Sequence, residues 1–385
     1  MILRTATESS SGRPELTEAQ KAENKSKTEY LEKVIQKFFR PTIDSFADSS
    51  AHRKYIERDK DYVADQKAHF KETLSVDAQY HPKAIEYLTQ FAIYRKDLFD
   101  SKDGVGYSAE PIWPTDFDDY KNRVDAALFL HSEGFDCPIA LDITTIPNET
   151  NITEKILIDS NDQNLGYHVG FTDIRYCRDR NGERTWQTYV PRYCVGMDKS
   201  AVDEALLSVS IEPGKPPSFE PKEMALISFK TLYEISVQNK LFITPLLDEI
   251  QNGGKLNEEE KKALDRLGTL NLIIDEELKR LTKKLPDALQ LALGPGDENG
   301  NHTPAEVAQL LSDRNSAFND KTFASIIRVT ASLQKDLDES PYKISHLAER
   351  SFRAAHDKIS ANNTTNNATR IATKRSEKFY DRRAA

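Results

Sequence analysis

The sequence predicts an α+β protein: a small, mostly antiparallel or mixed sheet flanked by helices, with an all-α helical bundle after it. Three observations carry this. Apolar residues at helical spacing occupy the first hundred residues, strand-like apolar runs cluster between about 105 and 200, and beyond a proline-rich break the pattern is helical again.

Residues 1–14 are Ser-rich and aperiodic, the composition of a disordered lead. The N-terminal helices occupy 15–100. From Glu15 to Phe39 a stripe of Leu31, Val34, Ile35 and Phe38 predicts a helix that Pro41 ends. Further helices are expected over about 52–75 and 82–99, the second opened by Pro82 and carrying Ile85, Leu88, Ala92 and Ile93.

An α+β core is expected over 101–211. In the run VDAALFL, alternation sends Val124, Ala126, Leu128 and Leu130 to one face and Asp125, Ala127 and Phe129 to the other; in IALDIT it groups Ala140, Asp142 and Thr144. A hairpin centred on Glu133 and Gly134 would pair Ala127 with Ala140 and set Asp125 opposite Asp142. Asn181-Gly182, between two strand-like runs, predicts a second hairpin, and Ile152, Ile156 and Leu157 a short helix between the two. Asp198 is expected to cap a helix starting near Ser200.

Residues 212–221 carry four prolines in ten positions, a stiff linker. The helical bundle follows over 222–361. Asn257 with Glu260, and Thr303 with Glu306, have the spacing of capping boxes, and Leu267, Asn271, Ile274, Leu278, Leu281 and Leu285 alternate steps of four and three. The polar and basic tail, 362–385, carries Arg370, Lys374, Arg375, Lys378, Arg382 and Arg383, available for sequence-independent phosphate contacts.

A net charge of −9 argues against a chain coated for nucleic acid, while leaving room for a local basic groove. Cys137, Cys177 and Cys194 include no C-x-x-C pair, which removes zinc ribbons and thioredoxin-like chemistry; Cys137 and Cys194 fit small buried hydrophobes. The N-terminus lacks the apolar stretch of a signal peptide and no run approaches the ~18 residues of a membrane span, so a cytoplasmic protein without membrane contact is expected.

Two like charges opposed across a hairpin are destabilising, so Asp125 and Asp142 call for a compensating cation. A divalent ion such as Mg²⁺ or Mn²⁺ would serve, since hard cations are held by one or two carboxylates with water and substrate phosphate. Salt bridges to Lys121, Arg123 or a helix lysine would serve equally. Thr144, two residues after Asp142, is no lysine; Lys155 is the nearest one downstream. His131 is expected to face solvent near the turn, and His168 has no defined partner.

Val124-Asp125, a turn, Ile139 to Thr144, a helix, and strands ending in Val190-Pro191-Arg192-Tyr193-Cys194-Val195-Gly196 together resemble the core of the PD-(D/E)XK, or restriction-endonuclease-like, nuclease superfamily. The resemblance spans roughly residues 80–200 and leaves the helical half without a counterpart. It implies a nuclease-like core at 101–211, Asp125 and Asp142 as metal-binding carboxylates, Lys155 as a migrated lysine in place of Thr144, and Glu86 as an additional acid from the preceding helix. The implied activity is metal-dependent hydrolysis of phosphodiester bonds in DNA or RNA. The alternative is a non-catalytic interaction scaffold with a degenerate nuclease-like domain, its helical half binding a protein partner or a second copy of itself.

Overall fold

The computed structural model describes residues 16–38, 40–49, 52–73, 76–94, 107–132, 135–157, 170–178, 184–212, 217–297 and 301–339. The expected disordered lead, both hairpin turns, His168 and the basic tail lie outside the described residues. The chain is α+β. Helices α1 (Glu18–Phe38), α2 (Ile56–Thr73) and α3 (Val76–Tyr94) precede β1 (Tyr107–Ile112), α4 (Asp116–Asn122), β2 (Ala126–Ser132), β3 (Phe135–Thr144), α5 (Glu149–Leu157), β4 (Phe171–Arg178) and β5 (Arg184–Gly196). Helices α6 (Lys199–Leu207), α7 (Pro221–Gln251), α8 (Glu258–Thr282), α9 (Asp287–Leu293), α10 (Pro304–Ser312) and α11 (Lys321–Glu339) complete it.

Among the described residues the strands form one mixed sheet, ordered β1-β2-β3-β5-β4. The hairpin register is the expected one: Ala127 pairs with Ala140, and the ladder extends one residue beyond β2 through the bond from Asp125 N–H to Leu141 O, 2.9 Å. β3 and β5 run parallel, with α5 and β4 in the connection between them; the remaining pairs are antiparallel. β1 was not anticipated. It is a short edge strand containing Pro111, and an edge is where a strand tolerates a missing N–H.

Both faces of the sheet are covered. Leu128, Leu130, Ile139, Leu141, Tyr193 and Val195 join α3, α7 and α8 in the main core, and Ala127, Phe129, Ala140, Ile174 and Val190 form a second cluster. Val124 corrects the predicted alternation, packing with Ala127 and Phe129 rather than with Ala126. The chain leaves α4 through Arg123 at φ 54°, and Val124 N–H bonds Asp118 O instead of joining the ladder. Pro82 is also a correction: it lies inside α3, which starts at Val76. The turn before the proline is anchored on α6, where Tyr80 Oη and His81 Nε2 hold Asp203, offsetting the lost helical bond.

The helical half shares the main core with the sheet. Where β5 outruns β4, its free edge is taken up by side chains of α7: Gln238 bonds both backbone groups of Cys194, and Glu234 accepts from Gly196 N–H. Tyr193 Oη donates to Asn239, which in turn donates to Leu267 O and Asn271 Oδ1 on α8. Polar residues thus fasten the long helices to the sheet in one register, since a buried strand edge must be satisfied. Asn257, Thr303 and Asp198 cap α8, α10 and α6 as expected. All three cysteines are buried thiols outside any disulfide, Cys177 donating to Ile174 O and Thr185 O.

Candidate functional site

Asp142 is the centre of a cluster at the end of β3. Its carboxylate contacts Lys155 Nζ of α5 and Arg192 Nη1 of β5, the latter at 3.3 Å. Arg192 lies opposite Ala140 across the parallel ladder, which makes it the diagonal neighbour of Asp142. Side-chain exposure is 3% for Asp142, 1% for Arg192 and 26% for Lys155, so the triad has one solvent-facing member. Arg192 Nη2 also donates to Lys155 O, 2.9 Å, closing the last turn of α5 and fixing where the lysine emerges. Burial works against the Lys155 charge, but Asp142 and Asp125 outweigh it and raise its pKa.

Asp125 stands immediately before β2. One of its oxygens accepts from Ile143 N–H at 2.6 Å, taking the ladder position that β2 leaves empty. The Asp119 carboxyl of α4 lies near it, and burial raises the Asp119 pKa against the pull of Arg40. Burial, then the charges of Asp119 and Asp142, push the Asp125 pKa well up. On α3, Glu86 and Gln90 lie one turn apart. Gln90 Nε2 donates to Glu86 Oε1 and to Asp125 O, 3.2 and 2.6 Å, while its own Oε1 is buried without a partner. Burial drives the Glu86 pKa up to about 8 against the pull of Arg40. Arg40, from the loop after α1, reaches Glu86 at 3.8 Å, Asp116 at 3.4 Å and Asp119 at 2.9 Å.

Four carboxyls, Glu86, Asp119, Asp125 and Asp142, therefore face three cations, Arg40, Lys155 and Arg192. Asp116 has Lys67 in addition. Burial and mutual repulsion raise the pKa values of Glu86, Asp119 and Asp125 together, which is how the cluster accommodates its excess carboxyl. This donor set, all oxygen, fits a hard divalent cation. Among the described residues no three His, Cys, Asp or Glu side chains are grouped as a metal cluster, so an ion would take one or two carboxylates and complete its shell with water or substrate oxygen.

Of the residues singled out in the sequence, Asp125, Asp142, Lys155 and Glu86 come together. Lys121 and Arg123 are exposed; of the expected salt-bridge partners it is a helix lysine, Lys155 of α5, that reaches Asp142, joined by Arg192 of β5. Thr144 is buried and accepts from Ile146 N–H, a turn-forming role. His131 is a correction: it is mostly covered, stacked on Phe129 and bonded to Asp136 at 2.6 Å. Arg40, Asp119, Gln90 and Arg192 were missed. Arg192, a charge inside the apolar run VPRYCV, carried the same anomaly that exposed Asp142; Gln90 sits four residues after Glu86, and Arg40 and Asp119 left no local signal. The chain matches no protein-family model, and no curated protein or solved structure matches it.

Proposed function

We propose that this chain is a divalent-metal-dependent phosphodiesterase of the nuclease-like kind, hydrolysing DNA or RNA at Asp125, Asp142 and Lys155. The observation that carries the reading is the position of Lys155. The strand has Thr144 where the resemblance implies lysine, yet α5 returns a lysine to the carboxylate of Asp142. The order of a carboxylate-bearing helix, a hairpin with one aspartate on each side, and a helix with further strands supports it as well.

Bound Mg²⁺ or Mn²⁺ would lower the pKa of a water and offset charge developing on the phosphate. Asp125 and Asp142 would hold the ion, with Glu86 near enough to act on the Asp125 carboxyl. Lys155, anchored by Arg192 at its backbone, holds its ammonium against Asp142 and Ile143 O, where it would orient a water or stabilise a phosphate oxygen. Arg40 keeps Glu86 and Asp119 in place.

One observation favours a second reading. Asp142 already satisfies both its oxygens with Lys155 and Arg192, as a carboxylate in a non-catalytic scaffold would. Exposed Leu272 and Leu291 on α8 and α9 would then belong to a protein-binding face. Calorimetric titration with Mg²⁺ and Mn²⁺ of wild type and the Asp125→Ala, Asp142→Ala double variant, followed by cleavage assays on DNA and RNA oligonucleotides, separates the two. Metal binding and cleavage lost together in the variant support the phosphodiesterase; a wild type that binds neither ion leaves the scaffold.

A further inference from the structure

The opposite end of α5 from Lys155 meets the helical half. The chain leaving β3 turns at Pro147, which lines a cavity of about 310 Å³ together with Arg314 and Asn319 of the α10–α11 loop and Lys321, Ser325 and Arg328 of α11. That volume is at the low end for small-ligand sites, the size of a phosphate with its sugar. Three of the lining side chains are cationic. Arg328 is paired with Glu149 at 3.0 Å and donates to Ser325 Oγ, whereas Arg314 is exposed and makes no ion pair among the described residues. Asn319 is buried, and Ser325 Oγ donates to Pro147 O, which ties α11 to the β3–α5 turn.

The end of α11 itself is not the attraction. Its first N–H groups are taken by Asp198 and Asp320, with Asp320 in turn neutralised by buried Lys230. The cavity is lined instead by cationic side chains, in a chain whose net charge is −9. A local positive site on an acidic protein selects an anion, and one with several acceptor oxygens suits two or three separate donors.

The spacing connects this cavity with the acidic cluster. From Pro147 to Lys155 the chain advances eight residues, roughly 12 Å at ~1.5 Å per residue, nearly all of it along α5. That distance corresponds to about three or four nucleotide steps at ~3.4 Å each. We propose that the cavity is a phosphate subsite for the nucleic-acid strand whose cleavage is assigned to Asp125, Asp142 and Lys155, gripping the backbone a few nucleotides from the scissile bond. The proposal rests on that functional reading, and gives the helical half a part in substrate binding.

The test is binding of fluorescein-labelled single- and double-stranded oligonucleotides by anisotropy across a salt series, with Ca²⁺ in place of Mg²⁺. Wild type is compared with the Arg314→Ala, Lys321→Ala double variant and with Asp125→Asn, thermal melts confirming that each is folded. The expected result is affinity on the order of tenfold weaker in the cavity variant, with a log–log salt slope shallower by about one for each contact removed. Asp125→Asn should weaken binding only in Ca²⁺, whereas the cavity variant should weaken it in EDTA as well. Unchanged affinity and slope in the cavity variant overturn the proposal. If wild type binds oligonucleotide but cleaves none in Mg²⁺, the catalytic reading falls while a reduced slope in the variant still upholds the subsite. If wild type binds no oligonucleotide but takes up inorganic phosphate, and the cavity variant does not, the site serves a free anion and the strand proposal is refuted.

Discussion

Glu86→Gln should flatten the pH dependence of stability. In the folded chain Glu86 keeps its proton up to about pH 8, because burial and the nearby Asp119 and Glu32 charges outweigh Arg40 and Lys83; its ordinary value is 4.5. Between those values the folded state binds more protons than the unfolded state, so stability falls as pH rises through the window. At about 1.4 kcal/mol per unit, the loss between pH 4.5 and 7 is about 3 kcal/mol from this side chain. The side chain is only 12% exposed, so solvent screening removes little of it. Glutamine keeps the shape and can still accept from Gln90, and Arg40 retains Asp116 and Asp119. Urea unfolding at a series of pH values, monitored by circular dichroism in EDTA, should show wild type losing stability toward pH 8 and the variant losing about 3 kcal/mol less by pH 7. Saturating Mg²⁺ should restore wild type, by about 2.7 kcal/mol at a hundred times Kd, and the variant by less. Parallel curves for the two proteins would refute the assignment of the excess charge to this cluster.

Lys155→Met should lower the cleavage rate on the order of 10²–10³-fold and, because it leaves the buried Asp142 carboxylate with Arg192 alone, should also cost about 3–5 kcal/mol in urea unfolding. Asp198→Ala removes the cap of α6 and the acceptor for Lys321 N–H, and should cost about 1–2 kcal/mol in urea unfolding without altering metal binding. Gly170→Ala is expected to cost about 2–4 kcal/mol. Gly170 has φ +87°, a Cβ there would stand 2.2 Å from the Phe242 ring, and its carbonyl accepts from Arg192 N–H.

What the sequence reveals here is what is local. The Ala127–Ala140 register follows from a short turn and a two-residue period, and the caps at Asp198, Asn257 and Thr303 from side chains within three residues of the N–H groups they satisfy. β1 escapes because a six-residue edge strand with a proline has no distinctive period, and α4 because seven residues hold too few turns to show one. Pro82 misleads because the turn before it is held by Asp203, more than a hundred residues away. The site divides in the same way. Two aspartates on apolar strands are visible as misfits, whereas their partners come from α1's loop, α3, α4 and β5 and meet only after folding.

A buried triad of Asp142, Arg192 and Lys155 is itself an argument about purpose. Breaking it at one member is expensive: Arg192→Met leaves Asp142 with Lys155 alone and should cost about 3–5 kcal/mol, read by urea unfolding. Removing charge from both sides is different, since buried ion pairs replaced by apolar groups of similar volume are often neutral or stabilising. Asp142→Leu combined with Arg192→Met should therefore recover most of the single variant's loss. If leucine there serves the fold as well, the aspartate answers to chemistry that leucine lacks, namely an acceptor that a cation can share when Lys155 moves off it. The double variant should be folded, with wild-type stability within about 1 kcal/mol, and unable to bind Mg²⁺ by calorimetry. A double variant as unstable as Arg192→Met would make the triad a structural requirement and remove this argument for a metal site.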